Sequence, residues 1–429
     1  MNTKLQLTLM NFLQFAIWGA YLTSQGRYLG SIGIGEKIGL FYSIQGIVSI
    51  FMPALLGIVA DKWMPAQKVL GIAHLLAGVS MIAAGYYGYC TADQAQFPIL
   101  FGLYTLSVAF FMPTIALSNS VAYNALEKGG LDPVKAFPPI RIWGTIGFIC
   151  TMWFVDLMGF QANAFQYVTS GVLGIVLGLY SFALPNCPVS NNTEKKSLAD
   201  TMGLSAFKLF KESRMAIFFI FSLLLGVALQ ITNGFANPFL GDFGNLPEYA
   251  NTFGVKHSNI LISLSQISET LCILLIPFCL KKWGIKRVML IAMIGWVFRF
   301  GLFATGNPGT GVWMFILSMV VYGVAFDFFN ISGSLFVNET TDKSIRSSAQ
   351  GLFMMMTNGI GAGLGSLIAQ KVINILVNSQ RAAAPGGATD WHAVMHGWSE
   401  AWYVFAAYSL IIAILFAFLF KYKHIADKQ

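Results

Sequence analysis

The chain has 429 residues, of which 56% are hydrophobic and only 10% charged, against roughly a quarter charged in an average soluble domain. That excludes a soluble globular protein of this size. The formal charge of +8 suggests an acidic partner only until the basic residues are placed, and no basic patch interleaved with aromatics argues for nucleic acid.

In chain order the sequence predicts twelve apolar spans, near 7–26, 38–60, 69–88, 97–121, 138–159, 165–184, 214–236, 257–280, 287–305, 311–336, 348–376 and 399–420. Each approaches the roughly 20 residues with which a helix crosses a bilayer. The runs are too long and too unalternating for barrel strands, so lipid-embedded helices are expected. The first run is interrupted by Gln14, Trp18 and Gly19 and lacks a small-residue cleavage site, which reads as a retained span. The polar stretch Pro185 to Arg214 separates six spans from six. The expected organisation is an N-terminal six-helix bundle over 1–184, a cytoplasmic linker over 185–213 and a C-terminal six-helix bundle over 214–429, ending in a short cytoplasmic tail.

Of the 26 Lys and Arg residues, Arg27, Lys37, Lys256, Lys371 and Arg381 fall on one set of alternate loops, Arg299 falls inside a span, and the other twenty fall on the opposite set. The positive-inside rule then places both termini in the cytoplasm. The basicity is topological. The five cysteines, Cys90, Cys150, Cys187, Cys272 and Cys279, are scattered without a Cys-x-x-Cys pair and read as apolar fillers. Neither a metal site nor a cofactor is expected.

Several spans carry polar residues that a membrane should exclude. Arg141, Thr145 and Phe148 stand at i, i+4 and i+7; Gln230 and Asn233 at i, i+3; Gln266 and Glu269 at i, i+3; Tyr322 and Phe326 at i, i+4, adjoined by Asp327 and Asn330. Each set occupies one helical face, and a shared internal cavity would accommodate all of them. Amides pair with the edge of a nucleobase, carboxylates and Arg with ribose hydroxyls, and aromatic rings stack on a base. A sugar would use much of the same chemistry, and the residues alone leave both open. Each set also has a plainer reading: Arg141 as a cytoplasmic anchor, Gln230 and Asn233 as interhelical glue. Arg299, in the ninth span, reads either as a structural partner for an acidic residue or as a snorkelling side chain, and is not placed in the substrate site.

After the second span, Gly57, Asp61, Lys62 and Lys68 stand in the order of the loop signature of the major facilitator superfamily, with Met64 and Pro65 departing from it. Gly57 would permit close helix approach and Asp61 would hold a neighbouring helix, as a gate requires. Longer stretches are more specific: Phe51 to Trp63 (FMPALLGIVADKW), Phe137 to Phe148 (FPPIRIWGTIGF), Leu229 to Asn233 (LQITN), Ser263 to Thr270 (SLSQISET) and Phe326 to Gly333 (FDFFNISG). Together they resemble the bacterial nucleoside:proton symporters of that superfamily, nearly end to end.

The resemblance implies the major facilitator fold and a monomeric inner-membrane importer of nucleosides such as uridine or adenosine, coupled to protons and working by alternating access. By the same resemblance Arg141, Thr145, Phe148, Gln230, Asn233, Gln266, Glu269, Tyr322 and Phe326 would bind the nucleoside. Proton coupling needs a carboxylate that exchanges wet and dry surroundings, and Glu269 and Asp327 are the candidates. A transporter of another small polar solute, such as a sugar, is the alternative. Nothing in the sequence marks an enzyme: the glycine run Gly359 to Gly365 lies within a span and reads as helix packing. His392 and His396, at i, i+4 but without a convincing carboxylate partner, read as interfacial residues and not as a metal site, and the glycosylation-like triplets at Asn191 and Asn338 as chance.

Overall fold

Backbone groups in hydrocarbon find no water, so each span must satisfy its own hydrogen bonds as a helix. The computed structural model describes residues 2–187, 204–342, 345–382 and 389–422, and these are helical with no strand among them. The helices are α1 (Thr3–Gly19), α2 (Ile38–Lys62), α3 (Ala66–Thr91), α4 (Phe97–Lys128), α5 (Pro133–Leu157) and α6 (Phe165–Ser181), then α7 (Ser213–Leu229, resuming as Ile231–Asp242). A continuous run Ser258–Thr305 follows, broken at Gly284 into α8 (258–283) and α9 (285–305). α10 is Val312–Thr340, α11 extends from Arg346 through Ser379–Ala382, and α12 is Trp391–Leu419.

Nine helical stretches among the described residues are long and apolar enough to cross a membrane. One of them is the α8–α9 pair, and the 17-residue α1 and α6 complete the twelve expected. The boundaries move where polar chemistry decides. α1 ends at Gly19, and a short helix Gln25–Ser31 follows; α12 starts at Trp391, where Asp390 caps the helix by accepting from the N–H groups of His392 and Ala393.

The chain divides into two compact units: residues 1–35 with 47–196, and residues 36–46 with 197–429. The start of α2 therefore counts with the second unit, where the Gly39 N–H donates to Gln370 Oε1 at 2.6 Å.

In the first unit, small residues let backbones touch, as expected where packing rather than hydrophobicity joins helices. A side chain at Gly147 would meet the Phe12 carbonyl at 2.2 Å, which brings α5 onto α1; Gly71, Gly78 and Gly85 of α3 meet α6 in the same way. In the second unit the glycine run of α11 faces α7. A side chain at Gly365 would meet the Val227 carbonyl at 2.2 Å, and one at Gly226 the Thr357 carbonyl at 2.4 Å. This is the close packing expected of that run, and α11 contains two π-helical segments, Met355–Gly361 overlapping the run and Asn374–Asn378 beyond it.

Candidate substrate site

The first unit carries the Arg141 set on α5. The Arg141 guanidinium carbon lies 3.8 Å from the centre of the Phe15 ring of α1, a cation–π contact. Gly144 makes it possible, since a side chain there would meet both Phe15 and Arg141 Nη1 within 2.8 Å. Thr145 is half-buried. Phe148 is buried, its ring edge-on to Trp18 at 6.3 Å. Arg141 is thus seated on an aromatic ring within the bundle, which is more than a cytoplasmic anchor requires.

Behind these residues lies a polar chain that hydropathy does not reveal. Gln14 Nε2 donates to Thr114 Oγ1 at 2.8 Å, and its Oε1 lies 2.8 Å from His74 Nε2. Gln14, Thr114 and His74 are all fully buried, and Phe111 links them to Trp18 through ring contacts. The lone His in the third span and the Gln interrupting the first were the available signals.

In the second unit α7 breaks at Gln230, between Leu229 and Ile231. Polar residues cluster there: Gln230, Thr232 and Asn233, followed by Gly234, whose N–H donates to the Gln230 carbonyl at 3.1 Å. The break leaves Gln230 and Asn233 half-buried, and Asn233 Nδ2 donates to Gln230 Oε1 at 2.8 Å.

Gln266 and Glu269 occupy one face of α8, both half-buried. α10 approaches closely, because a side chain at Gly323 would meet the Ser268 carbonyl at 2.6 Å. Tyr322 and Phe326 of α10 stack with ring centres 5.5 Å apart and planes 13° from parallel, and Trp296 stands edge-on to Tyr322. Asp327 is 5% exposed, and the Glu269 carboxylate acts on it electrostatically. Gln266 Oε1, Asp327 Oδ2 and Asn330 Oδ1 are buried with no hydrogen-bond partner among the described residues. Such acceptors are costly to leave unmade, about 1–3 kcal/mol each. They would suit a solute that brings donors.

Arg299 is 2% exposed and lies against this group. Its guanidinium carbon is 4.5 Å from the Tyr322 ring centre. It donates to the Ser318 carbonyl at 2.8 Å and to Thr232 Oγ1 at 3.2 Å.

The loop-motif residues are placed more loosely. Among the described residues nothing lies within 4 Å of a side chain built at Gly57. Lys62 is exposed, and the side chain of Asp61 lies outside the described residues. The Asn191 triplet also lies outside them. His396 Nδ1 is 3.6 Å from the Glu400 carboxylate one turn on, an exposed pair. No cluster of three metal-ligating side chains occurs among the described residues.

The sequence model of the Nucleoside H+ symporter family matches residues 1–425. The chain belongs to the nucleoside H+ symporter family. It is 46% identical over 429 residues to the nucleoside permease NupG of Escherichia coli (strain K12), covering 99% of this chain and 97% of that one. It is also 46% identical to the xanthosine permease of the same organism, over 100% of this chain and 98% of that one. The crystal structure of a mutant of the nucleoside transporter NupG superposes with a TM-score of 0.90 at 45% identity, over 98% and 100% of the two chains. The crystal structure of a D-xylose–proton symporter shares the fold, with a TM-score of 0.68 at 14% identity over 97% of each chain. The family member is therefore a multi-pass transporter with the major facilitator fold, moving nucleosides with protons, and is not an enzyme.

Proposed function

We propose that this chain imports nucleosides into the bacterial cell as a monomer in the inner membrane, by alternating access, with both termini in the cytoplasm. In the second unit Gln230, Asn233 and Gln266 supply amide edges for the base, Tyr322 and Phe326 an aromatic surface, and Glu269 an acceptor for ribose hydroxyls. In the first unit Arg141, Thr145 and Phe148 contact the nucleoside. Asp327 and Glu269 are the proton-carrying candidates, and Gly57, Asp61 and Lys62 belong to the gate.

One observation carries the reading. The buried acceptors of Gln266, Asp327 and Asn330, without partners among the described residues, lie on two closely packed helices beside a stacked aromatic pair. Inside a membrane protein such groups are expensive, and a solute rich in donors with a flat ring answers both features. Tritiated uridine uptake by membrane vesicles tests it, with and without an imposed inward proton gradient, with adenosine, xanthosine and xylose as competitors. Gradient-stimulated uptake displaced by a nucleoside and not by xylose is expected. Absence of uridine, adenosine and xanthosine uptake under every gradient would overturn the reading, and displacement by xylose alone would turn it toward a sugar.

A further inference from the structure

Arg299 sits on α9, a helix that supplies none of the proposed binding residues. A cation fully buried at membrane depth calls for a reason. Its contacts supply one. Nη2 reaches Thr232 Oγ1 at 3.2 Å, and Thr232 lies in the first turn after the break of α7, between Gln230 and Asn233. Nη1 lies 3.4 Å from Ser265 Oγ, the neighbour of Gln266 on α8. Nη1 also donates to the Ser318 carbonyl at 2.8 Å, one turn before Tyr322 on α10, and Ser318 Oγ returns a bond to the Arg299 carbonyl at 2.9 Å. The guanidinium carbon lies over the Tyr322 ring, 4.5 Å from its centre, and that ring stacks in turn on Phe326.

We propose that Arg299 is the positioning residue of the second unit's binding surface, joining the α7 break, the Gln266 turn of α8 and the Tyr322–Phe326 stack into one arrangement. The proposal rests on the reading that those residues bind the nucleoside. Arginine suits the task and lysine does not. A planar guanidinium offers divergent donors at its edge and a face that stacks on a ring, whereas an ammonium is a compact point charge. Neutral groups take the hydrogen bonds: two hydroxyls and a carbonyl. Arg299 acts through these neighbours, at no point as a ligand of the substrate.

The test uses the full-length protein purified in detergent. Uridine affinity is measured by equilibrium binding, and backbone hydrogen exchange over residues 228–236 is measured without nucleoside. Arg299→Lys and Arg299→Gln are expected to weaken uridine binding at least tenfold and to speed exchange across 228–236. Thr232→Val and Ser265→Ala, which leave the arginine in place, are expected to weaken binding three- to tenfold. The Arg299→Gln, Thr232→Val double variant is expected to be no weaker than Arg299→Gln alone. A merely structural residue would lower the yield and melting temperature of folded protein without altering affinity or local exchange. Folded Arg299→Lys with affinity within twofold of the parent and unchanged exchange would overturn the proposal. Should neither Arg299 variant fold, Thr232→Val and Ser265→Ala decide, and affinities within twofold for both overturn it. If the parent binds neither uridine, adenosine nor xanthosine, the functional reading fails instead. Exchange over 228–236 in Arg299→Lys then judges the positioning by itself, and an unchanged rate overturns it.

Discussion

Asp327 and Glu269 stand on different helices, yet their carboxylates act on one another and both act on Tyr322. Asp327 is the deeper of the two and has an oxygen without a partner among the described residues. A group so placed can take up a proton without breaking a hydrogen bond at that oxygen. Asp327→Asn is therefore expected to abolish uphill, proton-driven uridine accumulation in vesicles while uridine counterflow continues. Glu269→Gln, on the half-buried face, should weaken both. If both variants retain gradient-driven accumulation, neither carboxylate carries the coupled proton. Phe326 offers a different measure, because it is the half-buried member of the stack with Tyr322. Base–aromatic stacking contributes about 1–3 kcal/mol per base, so Phe326→Ala should weaken equilibrium uridine binding by about 5-fold to 160-fold. An unchanged affinity would remove Phe326 from the binding surface. The polar residues of this group were legible in the sequence because a charge or amide within an apolar span is conspicuous. Thr232, Ser265 and Ser318 were not: hydroxyl residues are ordinary in membrane helices, and only the three-dimensional arrangement shows them converging on Arg299.

Among the elements, the turn between α8 and α9 shows most clearly how one residue sets a boundary. Gly284 has φ 74° and ψ 166°, a conformation essentially confined to glycine. It divides a helical run of 48 residues that would otherwise continue. Lys281, Lys282, Lys286 and Arg287 flank it, and this charge run revealed the turn in the sequence. Forcing a side-chain-bearing residue into this conformation costs on the order of 1–3 kcal/mol. Gly284→Ala should thus lower the melting temperature of the detergent-purified protein, and a melting curve matching the parent's would show that the turn relaxes freely. The break in α7 lacks such a marker. The sequence is read as one span over 214–236, straight across Gln230. The interruption at Gln230 becomes visible only once the helix is seen to stop.

At the scale of the whole molecule, the proposed orientation and energetics meet. The asymmetry of Lys and Arg between alternate loops supports the proposal that both termini lie in the cytoplasm. A green fluorescent protein fused to the C-terminus should fluoresce and alkaline phosphatase at the same point should be inactive; the reverse would invert the topology. With that orientation an inward proton gains about 2.3 kcal/mol per 100 mV of membrane potential. One unit of pH difference adds about 1.36 kcal/mol. A neutral nucleoside moving with one proton could then be accumulated to about 500-fold under both forces together, and far less under either alone. In vesicles carrying both gradients, a protonophore should bring internal uridine down to the external concentration while leaving counterflow intact. Accumulation that survives the protonophore would mean that another ion, not the proton, drives this transporter. Accumulation that responds to pH difference but not to imposed potential would mean that the coupled step moves no net charge. That outcome would require the proton on Asp327 or Glu269 to be matched by the movement of a compensating charge within the protein.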